Sequence, residues 1–334
     1  MGTQAKYHHL IPQTYLSCWA NSSGTLKVRF LSTPDGNTVE RNKEKIGGVN
    51  DFYSIKAGMP CCSESDAEAI FSSLSDYKVE YNGKVITDFL QLNRLYYDFD
   101  NWRITRKDGS VVSKNKLKSQ INQVKIKDIE ENFSIEYENK WNDVVRTIQD
   151  RILESKDDVV PEFDKIYLNS FFTLLDWRGF SSNESFEELF NSRCFEPLKC
   201  INIPKEDRLL PDLSTANEEM RHCQLLKLYR EFLSNKGVLY TEATSRINST
   251  GFHFLIAEES VSFITSDSPA FYSELANGDR IGLLPITPKI LVLKGVSKIK
   301  MFSISRISDD DVDSWNKLIA ANATEFIIYN NSSV

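Results

Sequence analysis

The stretch Glu131-Asn132-Phe133-Ser134-Ile135-Glu136-Tyr137-Glu138-Asn139-Lys140-Trp141-Asn142-Asp143-Val144-Val145-Arg146-Thr147-Ile148 lies within the clearest helical signal of the chain, Ile126 to Leu153. Phe133, Tyr137, Trp141, Val144, Val145, Ile148 and Ile152 recur at three- and four-residue steps and predict one buried stripe. Glu131, Ile135 and Glu138 form an adjacent stripe, so two carboxylates are expected on neighbouring turns of a helix that packs into a core. Carboxylate oxygens suit hard divalent cations, and Glu131 with Glu138 is a candidate metal pair. Glutamates at this spacing also fit a solvated face.

On the C-terminal side, Asp157 to Pro161 breaks the helix and Asp164 to Arg178 resumes one, with Trp177-Arg178 at its end. Ser181 to Arg193 reads as a capped helix, Pro197 to Asp212 as an extended connector, and Ala216 to Asn235 as a long helix ended by Lys236-Gly237. The last third is β-rich. Gly251 to Ile256 and Ser260 to Thr265 are expected to pair as a hairpin, followed by Ser266-Asp267-Ser268-Pro269 and a strand from Lys289 to Lys294. Asp310 to Ala323 closes as a helix with Trp315 and Leu318 inward, and Glu325 to Tyr329 is a final strand.

On the N-terminal side, Leu26, Val28 and Phe30 alternate with Lys27 and Arg29, and a turn at Thr33 to Asn37 leads to a return strand from Val39. Ser65 to Ser73 and Thr87 to Tyr97 read as helices. Asn82-Gly83 marks a hairpin, and a second, basic hairpin is expected around Lys107-Asp108-Gly109. The fold class is therefore α+β, with a mainly helical centre, an N-terminal β-hairpin unit and a β-rich C-terminal part. One domain over 1–334 is expected, with the basic hairpin as an insertion at about 98–125.

The polar chemistry concentrates at Tyr7-His8-His9-Leu10-Ile11-Pro12-Gln13-Thr14-Tyr15-Leu16, where two of the four histidines stand together before a short helix from Pro12 to Ala20. Imidazoles titrate near neutrality, so His8 and His9 are candidates for acid–base work or metal ligation, with a capping or packing role as the alternative. Gln13 adds a polar group to the same turn. Arg178 is a candidate phosphate clamp or an anchor for its helix end. Asp267 is a candidate catalytic or ligating carboxylate or a turn residue that bonds nearby amides. His222 looks exposed on its helix, and His253 alternates out of step with Phe252 and Phe254.

Charge and motifs narrow the classes. The net charge is −7, and the one basic segment runs from Arg94 to Lys127, a candidate nucleic-acid footprint or a plain solvated surface. The six cysteines form no two-residue-spaced pair and are expected to be reduced thiols. No apolar run is long enough for a membrane span, and the N-terminus lacks a secretory centre, so a cytoplasmic protein is expected. Phosphate loops, dinucleotide fingerprints, Gly-x-Ser-x-Gly elbows and His-Glu-x-x-His are absent, which argues against P-loop NTPases, classical dehydrogenases and the common hydrolase and zincin families.

His8-His9-x-x-Pro12-Gln13-x-Tyr15-Leu16, the Asp51-Phe52-Tyr53 step, the Glu131/Glu138 helix, Thr265-Ser266-Asp267-x-Pro269 and Pro285-x-x-Pro288 together resemble the bacterial domain-of-unknown-function family 4238. The resemblance covers most of the chain and brings candidate positions, not a reaction. From the residues themselves we expect a metal-dependent phosphodiesterase or nuclease using Mg²⁺ or Mn²⁺, with phage defence as its setting. His8, His9 and Asp267 would be catalytic, Gln13 and Arg178 would bind substrate, and Glu131 and Glu138 would hold metal. The alternative is a non-enzymatic sensor or interaction module, acting with a protein partner or as a homo-oligomer.

Overall fold

In the computed structural model, residues 7–33, 36–179, 186, 190, 196–205, 207–258, 260–275 and 278–331 are described. The chain folds as two compact units, each discontinuous in sequence. The first comprises residues 1–50, 132–189 and 231–334; the second comprises 51–131 and 190–230.

In the first unit, β1 (Tyr7–His9) precedes the short helix α1 (Gln13–Leu16) and the hairpin β2 (Thr25–Phe30) and β3 (Val39–Asn42), followed by β4 (Gly48–Asn50). The expected helix from Pro12 to Ala20 keeps only its first turn as α-helix. Residues 17–20 are held by tighter turn bonds such as Trp19 N–H to Leu16 O at 3.1 Å. The helical run that begins at Asp128–Phe133 continues through a π turn, Ser134–Glu138, into α2 (Asn139–Ile148), and ends in a second π turn, Gln149–Leu153. A π turn has a wider period than the α-helix, so the regular stripe expected for Glu131, Ile135 and Glu138 does not run unbroken through it. The Asp157 to Pro161 breaker forms β5 (Val159–Pro161), a strand the pattern did not suggest, and α3 (Lys165–Arg178) follows. The expected helix from Ser181 to Arg193 lies outside the described residues apart from Phe186 and Phe190, both helical.

After α4 (Gly237–Ser245) come β6 (Thr250–Ala257), β7 (Thr265–Ser266), β8 (Phe271–Glu274), β9 (Arg280–Thr287), β10 (Ile290–Val296), β11 (Met301–Ile307), α5 (Asp309–Asn322) and β12 (Phe326–Tyr329). A six-stranded sheet has the order β8-β9-β10-β6-β11-β5, antiparallel except for the parallel pair β6–β11. A four-stranded sheet has the order β7-β12-β2-β3. The hairpin expected between 251–256 and 260–265 is corrected here. β6 pairs with β10 and β11, whereas Thr265-Ser266 crosses to β12 of the other sheet. Both segments have β character, but alternation names no partner.

The six-stranded sheet buries both faces. Phe252, Phe254, Leu284, Ile286 and Val292 pack with Trp141, Ile148, Phe171 and Phe172 of the helices, while Leu255, Leu283 and Leu291 pack with Val312 and Ile319 of α5. Trp141 stacks on Phe171 at 4.2 Å, a pairing that contributes about 0.5–1.5 kcal/mol beyond area burial. On α5 the expected inward pair is shifted. Val312 and Ile319 are buried, Trp315 is half-buried, and Leu318 is 37% exposed.

In the second unit, Lys78–Tyr81 and Lys84–Ile86 form the predicted hairpin. Asn82 and Gly83 take the positive φ values of 49° and 75° that such a two-residue turn requires. Arg103–Thr105 adds a third strand to it, so the first arm of the expected basic hairpin lies inside a sheet. The return arm makes only one isolated bridge, Thr105 to Val111, before the helix Lys114–Gln123 buries Leu117 and Ile121. Ion pairs at Arg103–Glu80, Lys107–Asp76, Lys118–Asp100 and Lys125–Asp51 spend part of this segment's charge on its own fold. Arg230 joins Asp66 at 2.5 Å and Asp128 at 2.8 Å.

His222, expected to be exposed, is buried at 6%, with its ring edge-on to Phe52 at 4.8 Å. Burial lowers its pKa to about 4. The folded state therefore disfavours the imidazolium, and stability held above pH 6.5 declines as pH falls toward 4, by roughly 3 kcal/mol in all. Urea midpoints of the wild type should drop over that window, and His222→Asn should flatten the slope; equal slopes in both proteins would refute the assignment.

Candidate functional site

β1 has only three residues, and its pleat decides the site. Tyr7 and His9 point to one face and His8 to the other, where it is fully buried. β1 lies against β4 with His9 opposite Gly48. A Cβ at Gly48 would stand 2.6 Å from the His8 carbonyl and 2.7 Å from the Tyr7 ring, so only glycine permits this approach. The Gly48 N–H donates to the Tyr7 hydroxyl at 3.1 Å, and the Tyr7 and His9 rings meet edge to face at 5.0 Å.

Four of the candidate residues converge here. The Gln13 amide lies 3.0 Å from His9 Nε2, and the Glu44 carbonyl lies 3.2 Å from the same nitrogen. A lone pair on Nε2 can accept from Gln13, and a proton on it can donate to Glu44, so either state has a partner. Burial pushes the His9 pKa below its usual value; the Glu44 carbonyl and the Glu138 charge act in the opposite sense. Arg178, at 3% exposure, donates to Glu138 at 2.8 Å and to the His9 carbonyl at 2.6 Å, with its guanidinium 4.4 Å from the Phe133 ring centre. Its two donors tie the end of α3 to β1 and to the π turn. Of the two readings of Arg178, this geometry is that of the anchor.

Asp267 is fully buried, and its carboxylate accepts from the backbone N–H of Thr324 at 3.0 and 3.1 Å and of Glu325 at 2.7 Å. It closes the connection from α5 to β12, as a turn aspartate would. Burial nonetheless leaves its pKa raised. Glu131 is exposed. Among the described residues no group of three or more His, Cys, Asp or Glu side chains is placed to hold a metal ion.

The other motif residues meet at one hydroxyl. Tyr15, fully buried, donates to the Pro285 carbonyl at 2.7 Å and accepts from Thr265 Oγ1 at 2.7 Å. The His-His-x-x-Pro-Gln-x-Tyr, Thr-Ser-Asp-x-Pro and Pro-x-x-Pro segments thus join through Tyr15, 250 and 270 residues from its partners.

Tyr7 lines a cleft of about 300 Å³ together with Arg41, Lys45, Gly48, Glu325 and Phe326; His9, on the same strand face, is not among its lining residues. Arg41 lies 5.8 Å from the Phe30 ring centre, and burial raises the Glu325 carboxyl pKa. Sequence reasoning missed Tyr7, Arg41, Lys45 and Glu325. The period-two step from Tyr7 to His9 was the available signal; the others come from separate strands and loops.

Tyr15→Phe leaves a buried hydroxyl and carbonyl short of a partner, and Asp267→Ala orphans two backbone N–H groups. Each should lower stability by roughly 1–3 kcal/mol, read as a fall in urea midpoint at unchanged m-value. Midpoints equal to wild type would remove these residues from the framework.

The sequence itself falls in a known family. No curated protein and no solved structure matches the chain. Residues 7–333, spanning both units, match the family described as protein of unknown function (DUF4238). The match extends from the His9 strand to beyond the last described strand, and the chain belongs to that family.

Proposed function

We propose that the chain is a hydrolase of phosphodiester bonds, a nuclease in particular, with His9 as its general base and phage defence as its setting. The observation that supports this reading is His9 itself. Burial favours its neutral form, two partners hold its Nε2, and Tyr7 beside it on the same strand face lines a cleft with two cationic side chains. A neutral imidazole can take a proton from water as the oxygen attacks phosphorus, then return it to the leaving oxygen as the P–O bond breaks. Arg41 and Lys45 would receive the phosphate charge, and Tyr7 would border the attacking water. The exposed basic residues between Arg94 and Lys127, in the second unit, are by themselves a surface suited to a polyanion. The Mg²⁺ or Mn²⁺ dependence expected from Glu131 and Glu138 belongs to the same proposal, but no step is routed through the ion, because Glu138 is paired with Arg178 and Glu131 is exposed.

The rival reading, a sensor or interaction module, draws on Asp267 and Tyr15. Both are buried and occupied by contacts within the fold.

The test is cleavage of single- and double-stranded DNA and RNA by the full chain, with and without Mg²⁺ or Mn²⁺. His9→Ala should lose about 10²- to 10⁴-fold in rate while keeping the wild-type urea midpoint. A base must be deprotonated, so kcat/KM should rise with pH through a value below 6.5 and then level. Absence of cleavage in the wild type under all these conditions, or an unaltered rate in the variant, would transfer the assignment to the interaction module.

A further inference from the structure

A second cluster of titratable groups in the first unit plays no part in the site above. Across the six-stranded sheet, Tyr272 of β8, Gly282 of β9, Lys294 of β10 and Phe252 of β6 stand in one cross-strand row. Gly282 has no side chain, and the Phe172 ring of α3 occupies that room, with its tip 2.5 Å from where a Cβ would be. The Lys294 amine lies 4.5 Å from the Phe172 ring centre and 5.3 Å from that of Tyr272. Arg280, two residues before Gly282 on the same strand face, lies 4.6 Å from the Tyr272 ring centre.

One turn along α3 from Phe172 stands Asp176, and Glu242 of α4 is the second carboxylate whose charge reaches Lys294. Among the described residues, no carboxylate approaches Lys294 or Arg280 within 4.0 Å. The amine is half-buried, set over two aromatic faces, and held without an ion pair.

We propose that Lys294 is a nucleophilic amine that forms a Schiff base with a small carbonyl compound carrying an anionic group, with Arg280 receiving the anion and Asp176 moving the proton. The neutral Nζ forms the C–N bond as the C=O π bond breaks, and one proton shed by that nitrogen passes to the carbonyl oxygen. Protonated Asp176 then protonates the carbinolamine hydroxyl, the C–O bond breaks and water leaves. The nitrogen's remaining proton returns to Asp176, and the imine retains the carbon skeleton of the ligand without any change of oxidation state. Phe172 and Tyr272 would flank the imine.

Electrostatics agrees with that geometry. Burial lowers the Lys294 pKa to about 8, against the pull of Asp176 and Glu242, so a sizeable share of the amine is neutral near pH 7.5. Burial, helped by Glu242, raises Asp176 to about 7, against Lys294 and Arg280, so it can give and take a proton in the same range.

The experiment treats the full chain at pH 7.5 with glyoxylate or pyridoxal 5′-phosphate, traps the imine by borohydride reduction, and locates the adduct by peptide mass spectrometry. Lys294 should be modified at least about tenfold faster than the exposed lysines, because desolvation leaves more of it as free amine. Propionaldehyde, which has no anion, should label it more slowly, and Arg280→Met should reduce the difference. Asp176→Asn should slow labelling by the anionic probes. Labelling spread over exposed lysines with Lys294 no faster would overturn the proposal, and equal rates for charged and neutral aldehydes would overturn the anion contact. The readout is made on the wild-type protein, so a poorly folding variant does not protect the idea.

Discussion

One buried hydroxyl holds the first unit's framework together. Tyr15 Oη donates to Pro285 and accepts from Thr265, so α1, the end of β9 and the start of β7 share a single polar contact inside an apolar core. A hydroxyl buried that deeply is costly unless both its donor and its acceptor capacity are met. That requirement fixes where α1 can sit, and α1 follows β1 by only a few residues. The position of His9 therefore depends on a contact made by strands far along the chain.

Arg178 supplies the complementary constraint. Its guanidinium reaches the His9 carbonyl and the Glu138 carboxylate from the end of α3, so β1 is gripped from two sides although it has only three residues and one strand partner. A strand that short would be marginal alone. The π turn at Ser134–Glu138 carries Glu138 on a helical segment with a different period from its neighbours, a place where helices often depart from regularity at functional positions.

Burial also sorts the titratable groups. It keeps His9 and His222 toward the neutral form, raises Asp176 toward neutrality and lowers Lys294 toward it. The two clusters of the first unit use that effect differently. At His9 an amide and a carbonyl meet the ring nitrogen, whereas at Lys294 the aromatic faces leave the amine without a close counter-charge.

What the sequence determined was local. The helical stripe of Trp141, Val144, Val145 and Ile148, the Asn82-Gly83 turn and the α+β order of elements follow from periodicity and turn chemistry, which short-range sterics enforce. His9 and Gln13 were also visible together, because only three residues separate them in the sequence. Tertiary structure decided the rest. Whether Thr265-Ser266 pairs with β6 or β12, whether Asp267 faces a ligand or backbone amides, and whether Glu138 meets Arg178 depend on partners far along the chain. The Lys294 cluster was invisible in the sequence for the same reason. Its row exists only through strand register, and register is set by packing of whole faces and not by any one residue.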